Sequence, residues 1–329
     1  MTTYDEILNG KIRPLNITQD LNQVADLIEL CFVGTIDEEG NDYIRYLRRM
    51  AQDAQTMYWG MGGLQRSYAT LQGFVYTVNE KIVGNLSLLP FHKSGEFIYL
   101  IANVAVRPEY RRKGIARQLT KRAIQYAQSK SAKSAWLQVR DDNPNAIDLY
   151  IQMGFQERCR RTTWTLYPKN LKSWNTVESL SLKSTSNVDW FNHQKLLTVV
   201  YSETVRWNLG FRLNRFNPGI ISKISRFINA QYIKNFVIVK DHQSFGYISF
   251  ERTNLFSDSL WLACDERNDE RVLTAFYQRY LRKSNLLKPL SINIPLGRAE
   301  KILETIGFVK NHTLIWMEES TIDSILKVN

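Results

Sequence analysis

The sequence predicts an α/β protein made of two tandem copies of one mixed-sheet domain. Three observations carry this. Residues 97–106 form an almost unbroken apolar run, as a strand buried on both faces does, and a basic, glycine-containing turn and a helix-periodic stretch follow it. A length of 329 residues exceeds one average domain. The order of parts also recurs: Phe236-Val237 to Gly246 repeats the step from Phe74-Val75 to Gly84, Gly307-Phe308 repeats Gly154-Phe155, and Trp316 repeats Trp164.

In order, Ile12 to Leu15 reads as a short edge strand, the usual place for a strand proline such as Pro14. Thr18 is positioned to cap a helix with Leu21, Val24, Leu27, Ile28 and Cys31 on one face. An acidic loop, Gly34 to Asp42, precedes a second helix with Tyr43, Ile44, Leu47 and Met50 inward, and Gly60 to Gly63 is read as a flexible loop. Phe74–Val78 and Ile82–Leu89 read as a hairpin across Asn79-Glu80-Lys81. The central strand stops at Pro108, which has no N–H for a ladder. Leu119, Ala123, Ile124 and Ala127 mark the next helix, and Ser134–Val139 another buried strand. Asn143 or Asp142 caps a further helix with Pro144 in its first turn, Gly154 closes it, and Phe155 starts the next strand. The polar stretch 169–183 reads as a linker between domains at 1–168 and 184–329.

Composition narrows the class. With 44% hydrophobic and 23% charged residues the chain has an ordinary globular composition. Cys31, Cys159 and Cys264 are too sparse for a disulfide framework and fit a reducing compartment, so a cytoplasmic location is expected. His92, His193, His242 and His312 are scattered and no cysteine pair has metal spacing, so no metal is expected. Residues Met1 to Glu6 are polar, unlike a signal peptide, and no apolar run reaches membrane-spanning length. The net charge of +11 is spread over both halves, which suits a polyanionic ligand; no motif supports a nucleic-acid partner.

The strand, basic turn and helix start of residues 97–116 make an anion site. Free N–H groups of a first helical turn converge on one spot, and the helix dipole favours negative charge there. Gly114 permits close backbone approach, and Arg111, Arg112 and Lys113 add positive charge. A phosphate or pyrophosphate is the expected ligand.

Arg111-x-x-Gly114-x-Ala116 after Val-x-Val-x-Pro resembles the acyl-CoA loop of the GCN5-related N-acetyltransferase (GNAT) family. A second family pattern falls on Asn143, Ala146, Tyr150, Gly154 and Phe155. The resemblance implies the α+β mixed-sheet acyl-CoA N-acyltransferase fold, acetyl-CoA as acyl donor, and direct transfer to a small-molecule or peptide amine without a covalent acyl-enzyme. It implies that Val104, Ala105, Val106, Arg111, Arg112, Lys113, Gly114, Ile115, Ala116, Asn143 and Tyr150 line the donor site. Backbone N–H groups near Val104 and Val106 would polarise the thioester, and Tyr150 would protonate the leaving thiolate. Two helices and their loop line the acceptor side in the family, so Asp37, Glu38, Glu39 and Asp42 are candidates to attract a cationic amine; the alternative is that they cap a helix and keep a loop wet. Many relatives carry a glutamate on the central strand where this chain has Leu100 or Ile98. Glu96 is the nearest carboxylate and the candidate base, with Tyr99 or a relayed water as alternatives. That departure favours a competing reading, a non-catalytic acyl-CoA sensor or interaction module, whereas intact Gly114, Asn143 and Tyr150 favour an enzyme.

In the second copy the anion loop is replaced by Asp265-Glu266-Arg267-Asn268-Asp269-Glu270-Arg271, and Leu303 stands where Tyr150 has its counterpart. No acyl-CoA binding is expected there. Ile220, Ile221, Ile224, Phe227 and Ile228 predict an amphipathic helix, preceded by the basic, aromatic residues Trp207, Phe211, Arg212, Arg215 and Phe216. A basic, aromatic stretch of this kind has two readings, contact with a membrane or RNA and burial of the apolar face in the second domain; burial is the commoner cause of such periodicity and is expected here.

Overall fold

The computed structural model describes residues 10–34, 38–58, 71–172, 180–209, 211–284 and 286–320, the side chains of residue 39 and of residues 53–58 excepted. The glycine loop expected at Gly60–Gly63 and residues 173–179 of the expected linker lie outside these.

The chain divides into two compact units, residues 1–158 with 316–329 and residues 159–315. The first contains β1 (Lys11–Pro14), α1 (Ile17–Cys31), α2 (Glu38–Tyr58), β2 (Gln72–Val78), β3 (Lys81–Lys93), β4 (Glu96–Val106), α3 (Ile115–Ser129), β5 (Ser134–Arg140) and α4 (Pro144–Gln152). Its strands lie in the order β1-β2-β3-β4-β5, antiparallel except for the parallel pair β4–β5. The β2–β3 hairpin turns on two residues, Asn79 and Glu80, both at positive φ (48° and 63°), as a turn matched to strand twist requires. Side-chain alternation gives the sheet two covered faces. Val75 and Ala105 join the core of α1 and α2 with Leu21, Val24, Ile44 and Leu47, while Phe74 and Tyr99 meet Tyr126 of α3 edge-on on the other face. Asn16, not Thr18, caps α1: its Oδ1 accepts from the Thr18 N–H at 3.1 Å. Buried Asp20 ties that helix to β1, accepting from Arg13 at 2.6 and 2.8 Å and from the Asn16 N–H.

The second unit repeats the plan. It begins within β6 (Gln156–Leu166) and continues through β7 (Ser181–Ser184), α5 (Trp190–Val200), α6 (Glu203–Arg206), α7 (Ile220–Ile228), β8 (Ile233–Lys240), β9 (Gln243–Glu251), β10 (Asp258–Cys264), α8 (Asp269–Arg279), β11 (Leu290–Pro295), α9 (Glu300–Ile306) and the first part of β12 (Val309–Ser320). The order β6-β11-β10-β9-β8-β7 again has one parallel pair, β10–β11, after three antiparallel strands. Phe236, Ile238, Ile248, Leu260 and Leu262 face α8; Val237, Tyr247, Trp261 and Ala263 face α5. The division between units falls inside β6 and β12, not at the polar stretch after residue 168. A polar stretch marks a loop, but a strand crossing a boundary carries no compositional mark.

One glycine per unit shows how closely the copies correspond. A Cβ on Gly84 would lie 2.8 Å from Ile115 Cγ2, and one on Gly246 would lie 2.9 Å from Val272 Cγ2. In both units the helix after the central strand packs directly on the neighbouring strand, and only a residue without a side chain allows it. Each glycine directly precedes or ends a register shift, between Tyr76 and Thr77 on the partner strand in the first unit and between Ile238 and Val239 in the second.

The second unit also buries His193, which stacks on Tyr247 at 4.8 Å and lies 3.4 Å from Ser249 Oγ. Burial pushes its imidazole down to about 4. The folded ring stays neutral while the unfolded chain takes up a proton below about 6.5, so this contribution is complete above pH 6.5 and is lost as pH falls towards 4. Denaturant unfolding followed between pH 7.5 and 4.5 is expected to show up to roughly 3 kcal/mol lost in that window, and much less lost in His193→Leu. Gly84→Ala is expected to lower stability by about 1–3 kcal/mol through overpacking against Ile115, read as a lower thermal midpoint.

Candidate functional site

The site begins where β4 parts from β5. Their parallel ladder runs from Ile98↔Ser134 to Ile101↔Leu137 and goes no further, although β4 continues to Val106. On its other side β4 stays paired with β3, through a bulge: the register shifts between Asn85 and Ser87, and Asn103 adopts φ 53°. The Arg107 N–H donates to Val83 O at 2.9 Å. Strand alternation then turns the N–H groups of Val104 and Val106 to the open edge, with no ladder partner from β5.

At the end of β4 the chain makes a short turn, Pro108–Tyr110, and enters the basic loop. Arg111 is extended (φ −67°), Arg112 is left-handed (φ 63°), and Gly114 is left-handed (φ 80°) as the N-terminal boundary residue of α3. Such alternation makes a concave nest of N–H groups. No side chain caps α3, so the first-turn N–H groups of Ile115, Ala116 and Arg117 are left for a ligand. A Cβ on Gly114 would meet only Gln118 Nε2, at 3.9 Å. Within the protein itself, glycine is needed here for its left-handed conformation and not for room.

The basic side chains do not all face outward. Arg111 Nε donates back to Val106 O at 3.1 Å, and Cys31 Sγ donates to the same oxygen at 3.3 Å, so Arg111 fastens the loop to the strand end. Arg112 Nη1 donates to Asn145 Oδ1 at 3.0 Å and links the loop to the start of α4. Lys113 lies over the Tyr110 ring. Asn143 caps α4, its Oδ1 accepting from the Ala146 N–H at 3.2 Å. Tyr150, one turn and more along that helix, is buried against Phe155. Its hydroxyl has no hydrogen-bond partner among the described residues, and burial pushes the phenol above its usual range.

Glu96 does not join this group. It is the first residue of β4, at the opposite end from Val106 by roughly 33 Å of strand, and it is exposed beside Lys133 at 4.0 Å. A carboxylate ten residues back along an extended chain cannot reach the strand's other end. On the acceptor side, Asp42 turns to Arg45 on its own helix and Glu38 is exposed at the first position of α2. Asp37 and the Glu39 side chain lie outside the described residues.

A polar group that sequence reasoning missed lies behind the bulge. Asn85 Nδ2 donates to Asn103 O at 3.0 Å, Asn103 Nδ2 reaches Ser87 Oγ at 3.4 Å, and the Tyr43 phenol of α2 lies beside Ser87 and Asn103. Asn85 is fully buried and its Oδ1 lacks a partner among the described residues. The signal was present: Asn85 and Ser87 are polar positions in an otherwise apolar strand. Among the described residues no group of three potential metal ligands occurs.

The corresponding place in the second unit is filled from within. No residue between Asp265 and Arg271 has positive φ. Asp265 accepts from the Arg267 N–H and side chain, and buried Asp269, first in α8, is held by Arg298 at 2.7 and 2.8 Å. Arg298 also donates to Cys264 O.

Residues 27–155 match the family model described as the acetyltransferase (GNAT) family. The chain is 38% identical over 66 residues to the [ribosomal protein bS18]-alanine N-acetyltransferase of Escherichia coli K12, a match covering 20% of this chain and 43% of that protein. It thus spans less than half the length of that curated relative. Among solved structures, a GCN5-related N-acetyltransferase from Sphaerobacter thermophilus superposes with a TM-score of 0.54 at 12% identity, covering 97% of both chains. A tandem GNAT protein from the clavulanic acid biosynthesis pathway gives 0.51 at 16% identity, covering 95% of this chain and 98% of that one. These two likenesses concern the fold alone.

Because Gly114 is required for its left-handed backbone, Gly114→Asn is expected to leave the thermal midpoint near that of the parent, whereas Gly114→Val is expected to cost about 1–3 kcal/mol. Equal midpoints would contradict this.

Proposed function

From the premise that residues 27–155 form a domain of the GNAT acetyltransferase family, we propose that the first unit transfers an acetyl group from acetyl-CoA to an amine. The observation that carries the proposal is the joining of two things in one short segment: a strand edge whose ladder has ended, and an uncapped helix start behind a nest of N–H groups.

In this reading the amides of the 112–117 segment bind the donor's pyrophosphate, a dianionic group suited to a helix N-terminus. Arg111 and Arg112 act mainly by shape: one fixes the loop to β4, the other to α4. The pantetheine arm lies along the open edge of β4. There one of the two outward N–H groups, at Val104 or Val106, donates to the thioester oxygen as negative charge develops on it, and the other, a two-residue rise away, is left for an amide of the arm. The amine nitrogen attacks the carbonyl carbon, the C–S bond breaks, and Tyr150 gives its proton to the sulfur. Burial keeps the Tyr150 phenol protonated at neutral pH and also makes it a weaker acid, so the proton moves only as negative charge builds on the departing sulfur.

No carboxylate on β4 can accept the amine's proton, so that task is assigned to the polar group behind the bulge. Tyr43, Ser87 and the free Asn85 Oδ1 offer hydrogen-bond acceptors through which a water can pass it to solvent. The acceptor is a small-molecule or peptide amine. The second unit binds no acyl-CoA, its equivalent helix start being taken by Asp269 and Arg298.

Titration calorimetry is expected to show one acetyl-CoA site per chain, weakened at least about tenfold by Gly114→Glu, which brings a carboxylate to the pyrophosphate position. Unchanged binding would remove the site from this loop. In a thiol-release assay with a panel of amines, Tyr150→Phe is expected to lower kcat by about a hundredfold or more while donor affinity stays within a few fold. Full turnover in that variant at every pH would end the general-acid role.

A further inference from the structure

The helix expected to bury its apolar face does the opposite. In α7, Ile220, Ile221, Ile224, Phe227 and Ile228 are 54–88% exposed, and none of the helix's nine residues is buried. The stripe is continuous at helical spacing and centred on one side. The residues on the other side, Ser222 and Arg226, are half-buried. Arg226 holds the helix to its own unit through polar contacts, donating to Arg215 O at 2.6 Å and Asn217 O at 2.8 Å. The helix is therefore mounted polar side in and apolar side out. Its counterpart before β2 in the first unit, α2, turns Ile44, Leu47 and Met50 into the core. Val188 and Phe191, 88% and 77% exposed, extend the apolar surface near the start of α5; Asn187 Oδ1 lies 3.8 Å from the Cβ position of Gly219, just before α7.

Charge indicates what covers this surface. From residue 204 to residue 240 the chain carries seven basic residues and no acidic one. Arg215 is spent on Glu251, and Lys234 lies over Tyr232 and Tyr280, but Arg212 and Lys223 are exposed. A large bare apolar stripe marks an interaction surface. A stripe of isoleucines and a phenylalanine with cations at its margin matches the boundary between lipid headgroups and acyl chains of an anionic membrane. None of the described helices is long and apolar enough to cross a membrane, so the contact is peripheral.

We propose that α7 is a membrane-docking helix that lays its isoleucine and phenylalanine stripe into the surface of an anionic bilayer, with Arg212 and Lys223 against the headgroups. This does not depend on acyl transfer in the first unit. The apolar side chains supply the binding and the cations select the surface. A polar underside lets the helix keep its place on the unit while its outer face enters the lipid.

Flotation of the full chain with vesicles tests this. Binding is expected to vesicles of phosphatidylcholine with 30% phosphatidylglycerol, a composition chosen to give about the charge of an anionic leaflet, and not to phosphatidylcholine alone. It is expected to weaken when ionic strength is raised from about 0.05 to about 0.5 M. Ile221→Glu with Phe227→Glu is expected to reduce binding at least about tenfold with no loss of thermal midpoint, because both positions are exposed. Lys223→Glu is expected to reduce binding to anionic vesicles several-fold while leaving the fold intact. No flotation of the parent chain, or equal flotation of the double variant, would overturn the proposal. So would a parent chain that is dimeric in sedimentation and made monomeric by the double variant without any lipid binding, or one that retains RNA while ignoring vesicles. Acetyl-CoA binding, measured in parallel, is expected to be the same in all these variants, so the outcome is read apart from that of the acyl-transfer proposal.

Discussion

The first unit depends on one constraint: β4 must leave β5 while β3 still holds it. A parallel pair gives up its hydrogen bonds at a cost, since each unpaired backbone group away from water is unfavourable. The unit meets this with a bulge. Asn103 takes a left-handed conformation, Asn85 Nδ2 bonds its carbonyl, and the β3–β4 ladder recovers its register by Ala105. The strand end is then fixed by three further contacts, from Arg107 N–H to β3 and from Cys31 and Arg111 to Val106 O. Everything downstream is placed by that anchored end. The basic loop starts from it, α3 starts from the loop, and Gly84 lets α3 rest on β3 at Ile115.

The two units show that the same backbone plan can carry opposite electrostatics. Both place a helix after the central strand, and both need a glycine beneath it. In the first unit the helix start is uncapped and the loop before it folds its N–H groups inward, which leaves positive potential without a partner. In the second, a buried carboxylate at the first helical position takes up that potential, and buried Arg298 neutralises the carboxylate in turn. A buried pair of this sort is worth little net, but breaking it is costly, so the carboxylate stays in place at that helix start.

Much of this was legible in the sequence. Buried strands appear as apolar runs, the β2–β3 turn as the polar residues from Asn79 to Lys81 between them, and the start of α3 as a glycine after a basic run. The repeat was visible as matched Phe-Val to Gly and Gly-Phe steps. Other features left no such trace. A bulge depends on which of two registers wins, and Asn103 looks like any other residue in the run. Whether Arg111 reaches out to a ligand or back to Val106 O is a choice of rotamer. Glu96 was a different kind of miss, because the strand rise alone would have put it out of reach. The division of the chain inside β6 and β12 was hidden because both segments are uniform strands.

The direction of an amphipathic face is also not written in its periodicity. Alternation at 3.6 residues says that a helix has two unlike sides, not which side meets the protein. For α2 the core decides: Val75 and Ala105 present an apolar surface, and Ile44 and Leu47 cover it. For α7 the sheet face is already covered by Leu197, Tyr201, Phe211 and Phe216, which close over Trp261 before the helix is reached. Phe211 and Phe216, in the stretch before α7, take the place its own side chains would fill. What remains for α7 to meet is backbone, the Arg215 and Asn217 carbonyls, and those call for a donor. Arg226 supplies it, and the helix is turned by that bond so that its isoleucines face away.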